Sequence, residues 1–597
     1  MRARTAQTRP DRSIRTVADI RLPELRRLFL AALALIAVLW FGTLNYRGLF
    51  IPDEGRYAEI PREMLASGDW VTPRLDGLKY FEKPPLQYWA TAASFALFGE
   101  HDWSARLWPA LTGFLAALLI VFAGNRIGPP GAGWLAGIML ASSWGYLLAG
   151  QFLTLDMGVS AFLTLALCAV LLAQDRPKSE SARRNWMLVA WAAMAFAVLS
   201  KGLIGIVLPG LVLAIYVLIQ RDWRLLGRLH WAPGLAVFGA IAVPWFVLVQ
   251  LRNPEFFRFF FIHEHFERFA TSEAHRAGPW WYFVPILVLG MMPWTAALPG
   301  ALRRAWSAGG DKGAFDADRL LVVWAAAIFL FFSASHSKLP GYVIPVMPAL
   351  ALLLARDAAR RARLPVKAMS IAALVLGVVL VLVAPRLPSL PHAPTLAALM
   401  AAYWHWVLAA GTLLAAGALL AWRANARHAP ALAVLALALA GLGTALTALD
   451  GLHRVEDYYS AQTFAERLVG KDRSLAPQDR VYSLRQFDSS LSFYLGSQMT
   501  LVAYRGELAP GIAADPRMYI ASLPEFARRW IAEKDAYAVM SPELYRSLEQ
   551  QGLPMHLVLA EGRRVLVSRA GAPPGNVPKT GSRLLALMRR VSHPVRD

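Results

Sequence analysis

The stretch RGLFIPDEGRYAEIPREMLASGDWVTPRLDGLKYFEKPPLQYW, residues 47–89, sets many charged and aromatic residues beside an apolar run. That run, near 28–46, approaches the ~20 residues that a helix needs to cross ~30 Å of hydrocarbon. The acidic pair Asp53–Glu54 ends the apolar run, and the pair Glu82–Lys83 directly precedes Pro84–Pro85. Two consecutive prolines favour a rigid, extended backbone that would direct the preceding side chains. We therefore predict a functional loop at a membrane surface.

The composition of the whole chain is that of a membrane protein. Of its 597 residues, 56% are hydrophobic and 17% are charged, and the mean hydropathy is +0.41. Soluble domains carry about 25% charged residues, so an ordinary cytosolic enzyme and a disordered chain are both excluded. The net charge of +21 indicates basic loops at an anionic membrane face rather than a nucleic-acid partner. The single cysteine, Cys168, excludes disulfides and cysteine-based zinc sites.

Thirteen apolar runs predict a polytopic α-helical membrane protein with about 13 transmembrane helices. Several runs are short or interrupted by proline. A weaker run at 86–99 is too short to span comfortably, and we expect it to form an interfacial helix on the outer side. The thirteen runs lie near residues 28–46, 105–127, 131–149, 154–173, 186–199, 203–220, 232–250, 280–300, 320–334, 341–355, 369–384, 402–422 and 430–449.

Lysine and arginine residues orient this map, because cytoplasmic loops are enriched in them. Residues 1–27 contain eight arginines and form a predicted basic cytoplasmic N-terminus without the features of a cleaved signal peptide. The transmembrane domain covers 28–450. The orientation places its catalytic loop 47–104, a second loop at 251–279 and everything after 450 on the outer side.

The pattern changes after the last apolar run. Short apolar runs such as VYSL (481–484) and AYAVM (536–540) alternate with amphipathic stretches. Strands that alternate with helices predict a soluble α/β domain over 451–570, on the outer, periplasmic side. Residues 571–597 have the composition of a flexible basic tail.

The first loop opens an ordered set of motifs, which continues with Asp156 in LTLDMG, Lys201–Gly202 in VLSKG and SHSKLPGYVIP at 335–345. This set resembles the GT-C membrane glycosyltransferases, and within them the superfamily of protein O-mannosyltransferases and aminoarabinose transferases. The resemblance covers roughly 25–350. In the first loop its residues are Trp70, Pro73, Leu75, Gly77, Tyr80, Lys83, Pro84, Pro85, Leu86, Tyr88 and Trp89.

This resemblance implies a GT-C fold and a glycosyltransferase of the bacterial inner membrane. The similar branch transfers 4-amino-4-deoxy-L-arabinose from undecaprenyl phosphate to a lipid A phosphate. That transfer changes the charge of lipopolysaccharide and confers resistance to polymyxin and other cationic peptides. The implied partners are the undecaprenyl-phosphate sugar donor, lipid A and the membrane lipids, with the enzyme acting as a monomer and using no organic cofactor.

A polyprenyl-phosphate donor needs cations at the membrane surface above an apolar groove. Gly202 would leave room for a headgroup beside Lys201, although a snorkelling lysine at a helix end has the same pattern. Tyr342 follows Lys338 by one helical turn, so both could face one ligand, or Tyr342 could be an interfacial tyrosine. The predicted donor-binding residues are Arg56, Tyr57, Tyr80, Glu82, Lys83, Lys201, Lys338 and Tyr342.

Three carboxylates, Asp53, Glu54 and Asp156, are the predicted catalytic residues. If the acceptor were a hydroxyl, Asp53 would act as its general base. A phosphate monoester has a second pKa of ~6 and is already anionic, so a phosphate acceptor needs no strong base. The carboxylates would then bind the donor's amino group or stabilise positive charge on the sugar. Asp156 could instead satisfy free amides at a helix N-terminus.

A divalent metal is a further possibility. His263 and His265 flank Glu264 in the loop FFRFFFIHEHFERF, and Glu82 from the first loop could join His263. That ligand set suits a zinc-type ion better than magnesium. The alternative is an aromatic, basic helix that anchors this loop in the interface.

Other functions remain compatible with parts of the sequence. The same fold could serve a polyprenyl-phosphate-dependent protein mannosyltransferase or another pentosyltransferase. A lipid-linked sugar transporter would need charged or broken helices at the bilayer midplane, whereas here the charges concentrate in the outer loops. The density of charged residues over 47–89 also argues against a structural scaffold.

Overall fold

The computed structural model describes residues 22–267, 278–308, 310–361, 363–391, 394–469, 480–533 and 535–569. Most of the predicted N-terminus 1–27 and the whole predicted tail 571–597 lie outside these ranges. Residues 268–277, in the predicted loop 251–279, do so as well.

The part of the chain up to residue 450 is almost entirely helical. Short 3₁₀ turns such as Thr295–Ala297 and Pro340–Val346, and a π-helix (Arg258–Glu267), lie between the α-helices. The α-helices are α1 (Leu22–Gly42), α2 (Asp53–Ser67), α3 (Leu86–Phe98), α4 (Asp102–Ile127), α5 (Ala132–Ala141), α6 (Trp144–Gln151), α7 (Leu155–Gln174), α8 (Glu180–Lys201), α9 (Ile204–Gln220), α10 (Arg224–Gly227), α11 (Trp231–Arg252), α12 (Phe283–Gly290), α13 (Leu298–Ser307), α14 (Ala317–Ala334), α15 (Met347–Arg361), α16 (Val366–Val383), α17 (Pro394–Ala426) and α18 (Pro430–Asp450).

The chain is a multi-pass membrane protein, and each of the thirteen predicted runs falls on a helix or a bent helix pair. Within the described residues, eight helices are long and apolar enough to cross a membrane, or up to ten if each bent pair is one span. The pairs are α5 with α6, bent by 59°, and α12 with Thr295–Ser307, bent by 107°. This count is below the predicted thirteen. The apolar part of α1 and the whole of α9 are shorter than 18 residues, and α8 begins with several charged residues.

The short run predicted as an interfacial helix forms α3, which has 13 residues and is separated from α4 by a glycine turn. At 1.5 Å per residue this helix is about 20 Å long, less than the hydrocarbon thickness. It packs instead on α2 and α4 within the predicted loop 47–104.

The predicted α/β domain follows α18 and is confirmed as a six-stranded sheet with helices. The strand order is β5-β4-β3-β6-β8-β7, in which β3 runs parallel to β4 and β6, and β8 runs antiparallel to β6 and β7. Its strands and helices are β3 (Arg480–Leu484), β4 (Met499–Val502), β5 (Tyr519–Ile520), β6 (Ala536–Met540), β7 (His556–Glu561), β8 (Arg564–Ser568), α19 (Glu456–Tyr459), α20 (Gln462–Val469), α21 (Ser489–Leu495), α22 (Ala509–Ala514), α23 (Leu523–Ala532) and α24 (Pro542–Gln550). The earlier strands β1 (Arg74–Leu75) and β2 (Leu78–Lys79) form a separate hairpin in the loop 47–104.

Helix α21 of the α/β domain packs directly against α2. A Cβ atom on Gly55 would lie 2.4 Å from the backbone nitrogen of Ser490, so only glycine permits this approach. The Tyr494 hydroxyl accepts a hydrogen bond from the Leu49 amide at 2.7 Å and donates one to Asp102 at 2.6 Å. Helix α21 follows β3 and Glu507 follows β4, so the segments after the carboxyl ends of these two strands contact α2.

The β1–β2 hairpin makes a second contact between the two domains. Its two-residue turn is Asp76–Gly77, with φ angles of 57° and 76°, the positive values that a type I′ turn requires. Buried Asp76 accepts a hydrogen bond from the Met499 amide at 2.8 Å, at the start of β4. This contact holds the hairpin against the sheet.

Candidate active site

Asp53 lies at the start of α2, which corrects one sequence-based expectation. The acidic pair does not end the first apolar helix, because α1 ends at Gly42 and a new helix begins at Asp53. The Asp53 side chain is 46% exposed, and its Oδ1 accepts a hydrogen bond from Arg56 Nη2 at 3.3 Å. A carboxylate at a helix N-terminus is favoured by the helix dipole, yet this one keeps an open face.

Arg56 is buried and connects the two domains. Its Nη1 donates a hydrogen bond to the Tyr80 hydroxyl at 2.9 Å and lies 3.0 Å from Oε2 of Glu507, a residue of the α/β domain. The Tyr57 ring centroid is 5.5 Å from the Arg56 guanidinium carbon. Among the described residues, the buried Nε of Arg56 has no hydrogen-bond partner. A buried donor without a partner suits an anionic ligand at this position.

Asp156 and Lys201 form an ion pair at the same end of the bundle. Asp156 lies in the first turn of α7, and Lys201 is the last residue of α8. The Lys201 ammonium also lies 4.8 Å from the centroid of the Tyr342 ring. A Cβ atom on Gly341 would come within 2.5 Å of Asp156 Oδ2, so the glycine makes room for the carboxylate. Asp53 is close enough to Lys201 to interact with its charge.

Glu82 and Lys83 are largely buried, with side-chain exposures of 13% and 18%. Lys83 Nζ donates a hydrogen bond to the Glu82 carbonyl at 2.8 Å. Burial raises the pKa of Tyr80, the Arg56 guanidinium opposes that shift, and the Glu82 carboxylate adds to it. The expected extended Pro–Pro segment is wrong at Pro85, which has helical angles (φ −88°, ψ −11°) and caps α3.

Lys338 lies in a different environment from the one predicted. Its buried ammonium donates hydrogen bonds to the carbonyls of Ser333 and Ser335, at the C-terminal end of α14. Tyr342, the residue expected to share a ligand with Lys338, faces Lys201 instead. Lys338 precedes the 3₁₀ turn rather than lying within a helix, so the helical spacing used for the prediction does not apply.

Glu54 also differs from its predicted catalytic role. It is buried between Arg47 and Arg106, whose Nε donates to Oε1 at 2.8 Å, and it accepts backbone hydrogen bonds from Phe50 and Leu153 at 3.0 Å each. Burial alone would raise the pKa of Glu54, but the guanidiniums of Arg106 and Arg47 outweigh it and hold the pKa well below its usual range. With both oxygens occupied, Glu54 has the geometry of a structural ion-pair centre.

The predicted metal site lies only partly within the described residues. Glu82 belongs to the cluster around Arg56, but the side chain of His263 falls outside the described part of the chain. Among the side chains that are described, no group of three or more His, Cys, Asp or Glu could hold a metal ion. A zinc-type ion at Glu82 and His263 therefore stays a prediction.

Sequence reasoning missed the residues that join distant segments. Arg106 is a charged residue inside the span α4, a pattern that indicates either function or a buried partner, and this signal was available in the sequence. Glu507 gave no such signal, because its contact with Arg56 joins residues 451 positions apart and depends on domain packing.

The open part of the cluster can bind a phosphate and stabilise a cation. Arg56 and Lys201 supply fixed positive charges in a water-poor setting, where contacts to a phosphate are strong. Asp53 presents a half-exposed carboxylate beside Arg56. This combination of cations and a carboxylate beside apolar helices suits transfer of a group from a phosphorylated lipid.

Two family descriptions match the chain in sequence. "Dolichyl-phosphate-mannose-protein mannosyltransferase" matches residues 26–260, and "Aminoarabinose transferase C-terminal domain" matches residues 469–569. The undecaprenyl phosphate-alpha-4-amino-4-deoxy-L-arabinose arabinosyl transferase of Pseudomonas aeruginosa is 39% identical over 327 residues, which are 54% of this chain and 58% of that protein. The relative of the same name in Edwardsiella ictaluri is 36% identical over 328 residues. The alignments thus span little more than half the length of these relatives.

The structural match extends much further along the chain. ArnT from Cupriavidus metallidurans, in a crystal structure bound to undecaprenyl phosphate, superposes with a TM-score of 0.84 at 37% identity, over 91% of this chain and 99% of that one. Its apo form matches with a TM-score of 0.83. The GT-C fold and the α/β domain are therefore confirmed together, and the chain belongs to the aminoarabinose transferase family of membrane glycosyltransferases.

Proposed function

We propose that this protein transfers 4-amino-4-deoxy-L-arabinose from undecaprenyl phosphate to a phosphate group of lipid A. The observation that supports this most directly is the cluster of Arg56, Lys201 and the half-exposed Asp53 at one end of the apolar helices. A polyprenyl phosphate has the matching chemistry, an anionic headgroup on a long apolar tail. The names of the similar transferases support the choice of sugar and lipid carrier.

In the proposed reaction, the bond between the sugar's anomeric carbon and the donor phosphate oxygen breaks. The electron pair stays with that oxygen, so undecaprenyl phosphate leaves as a phosphate monoester. Arg56, through its unpaired Nε, and Lys201 would stabilise the leaving charge. Asp53 would face the positive charge that develops on the sugar.

An oxygen of the lipid A phosphate forms the new bond to the anomeric carbon. Because this phosphate is already anionic near neutral pH, the acceptor needs alignment rather than deprotonation. Asp53 is then a positioning and charge-stabilising group and not a general base. A hydroxyl acceptor, as in a protein mannosyltransferase, would require a base in the same place.

We propose that the enzyme works in the inner membrane as a monomer, with its active site and α/β domain on the periplasmic side. The distribution of basic loops supports this orientation. A zinc-type ion, if bound by Glu82 and His263, would supply Lewis-acid stabilisation of a phosphate oxygen.

Purified protein should move one aminopentose from undecaprenyl phosphate-aminoarabinose to lipid A, as detected by mass spectrometry. Cells that carry the gene should show the same mass shift in lipid A, and cells without it should not. A lipid A that stays unmodified while a protein hydroxyl becomes glycosylated would support the mannosyltransferase alternative. Donor that crosses the membrane without any transfer would instead indicate a transporter.

A further inference from the structure

An arginine whose charge is not fully neutralised lies beside the carboxyl ends of the parallel strands in the α/β domain. In an open α/β sheet, ligands bind at the carboxyl ends of the strands, where the strand order reverses direction. Here the chain passes from β3 through β4 to β5 on one side and then returns to β6 on the other. The reversal therefore lies between β3 and β6.

Arg563 lies beside the carboxyl ends of the parallel strands, at the tip of the β7–β8 hairpin. Glu561 pairs with Arg564 in the sheet, which leaves Gly562 and Arg563 as a two-residue turn. The tip is held in place, since Gly562 has a φ of 56° and its Cβ position lies 2.4 Å from the Asp457 carbonyl oxygen. The tip of the hairpin therefore packs against the segment that contains Asp457.

The Asp488 carboxylate lies near two guanidiniums, those of Arg563 and Arg564. Asp488 Oδ2 lies 2.7 Å from Arg564 Nη2, and both residues are fully buried. Oδ1 of Asp488 is used at the start of α21, by Ser490 at 2.7 Å and by the Leu491 amide at 3.2 Å. Arg563 is left with a distant contact of 3.7 Å to Asp488 Oδ2.

Arg563 therefore retains hydrogen-bonding capacity. It donates no hydrogen bond to another described residue, and its Nε is buried without a partner. The Tyr504 side chain connects this position to the active site. Its hydroxyl lies 2.5 Å from the position of a Cβ atom on Gly506, next to Glu507, whose carboxylate is 3.0 Å from Arg56. Burial and Glu507 raise the pKa of Tyr504, and the guanidiniums of Arg56 and Arg563 both oppose that shift.

We propose that Arg563, with the hydroxyl of Tyr504, binds the phosphate monoester of the acceptor lipid and holds it opposite the donor phosphate at Arg56. The inference rests on the proposed function and assigns the α/β domain the acceptor half of the site. A guanidinium with free donors in a partly desolvated position matches a phosphate monoester, and the Glu507–Arg56 ion pair joins the α/β domain to the donor cluster.

The test measures transfer by the full-length protein while donor and acceptor are varied separately. We expect Arg563→Ala to raise the apparent KM for lipid A by about 10-fold or more, as for loss of a charge-assisted contact, with the donor KM within about 2-fold. Arg563→Lys keeps the charge and should recover part of the acceptor affinity. Arg480→Ala is the matched control, because Arg480 lies at the amino end of β3, away from the carboxyl ends of the strands, and pairs with Glu533. It should leave both KM values unchanged.

Inorganic phosphate provides a second measurement. In the wild type it should inhibit competitively with lipid A, and Arg563→Ala should weaken that inhibition. An unchanged acceptor KM, or a raised donor KM, in a variant with normal thermal unfolding would overturn this inference alone. A wild type that transfers no aminopentose to lipid A would overturn the proposed function instead.

Discussion

Asp53 and Glu54 are neighbours in sequence but belong to opposite environments. Glu54 is buried between two guanidiniums, whereas nearly half of the Asp53 side chain is exposed beside Arg56. Adjacent positions on a helix point about 100° apart, so one carboxylate faces the protein interior and the other faces the site. The contrast separates a carboxylate that holds the fold from one that is available for chemistry. It also predicts that the same substitution will have different consequences at the two positions.

The largest effect is expected at Glu54. Glu54→Gln would leave Arg47 and Arg106 buried side by side without their shared counter-ion, and breaking such a pair costs about 3–5 kcal/mol. We expect a lower unfolding temperature and little folded protein, measured by thermal unfolding and size-exclusion chromatography. A variant that folds normally but transfers no sugar would reverse the comparison and restore the catalytic role for Glu54.

The next effect is on activity, at Asp53. Asp53→Asn makes the matched change one residue earlier, and the exposed position should tolerate it without loss of folding. Transfer should fall by about 10²–10³-fold, because the carboxylate no longer faces the developing positive charge. The residual rate should follow acceptor ionisation near pH 6, measured between about pH 5 and 8. Full activity in this variant would remove Asp53 from the mechanism.

A smaller difference should separate the lysines of the loop 47–104. Lys83 lies beside Glu82 within the site, while Lys79 forms an ion pair with Glu255 at 2.7 Å. We expect Lys83→Ala to lower transfer by about 10-fold or more through loss of a partly desolvated charge. Lys79→Ala should stay within about 2-fold, since partly exposed ion pairs contribute little. Equal activities in the two variants would mean that this part of the loop is only solvated charge.

A pH-dependent effect on stability concerns Asp76, a buried carboxylate without the paired arginines of Glu54. Burial raises the pKa of Asp76 to about 8, against the lowering effect of the Met499 amide. The folded state therefore retains a proton that the unfolded state loses near pH 4, so stability should fall as the pH rises from about 4 to 8. Asp76→Asn removes this titration and suits the positive φ of the turn. Its unfolding temperature should depend less on pH than that of the wild type, and an equal pH dependence would contradict the assignment.

Local sequence was sufficient to single out several residues that lie together in the structure. Asp53, Arg56, Asp156, Lys201 and Tyr342 were all predicted, and the structure brings them together at one end of the bundle. Whether a segment enters the membrane, and on which side its loops lie, depends on the hydrophobicity and charge of that segment itself. For that reason the spans and the loop 47–104 could be located without knowledge of their packing.

Other features depended on contacts between segments. The sequence placed Glu54 and Lys338 beside site residues, but it could not show that their polar atoms are used by Arg106 and by the end of α14. Likewise, the number of complete spans depends on bends of 59° and 107° within two helix pairs. The direction and bending of a helix depend on how it packs against neighbouring helices. The periodic pattern of apolar residues in the sequence gives no information about that packing.

The sequence by itself determined the membrane helices, the α/β domain and the chemical types available at the surface, because these follow from hydrophobic pattern and charge. Only the tertiary structure decided which charges are neutralised internally and which remain for a ligand. Glu507 reaches Arg56 because the α/β domain packs against α2, whereas Arg563 and Asp488 come together through strand pairing within the sheet. A buried charge needs an opposite charge or a hydrogen-bonding group close to it in space. The separation of two residues along the chain does not indicate which residue will be that partner.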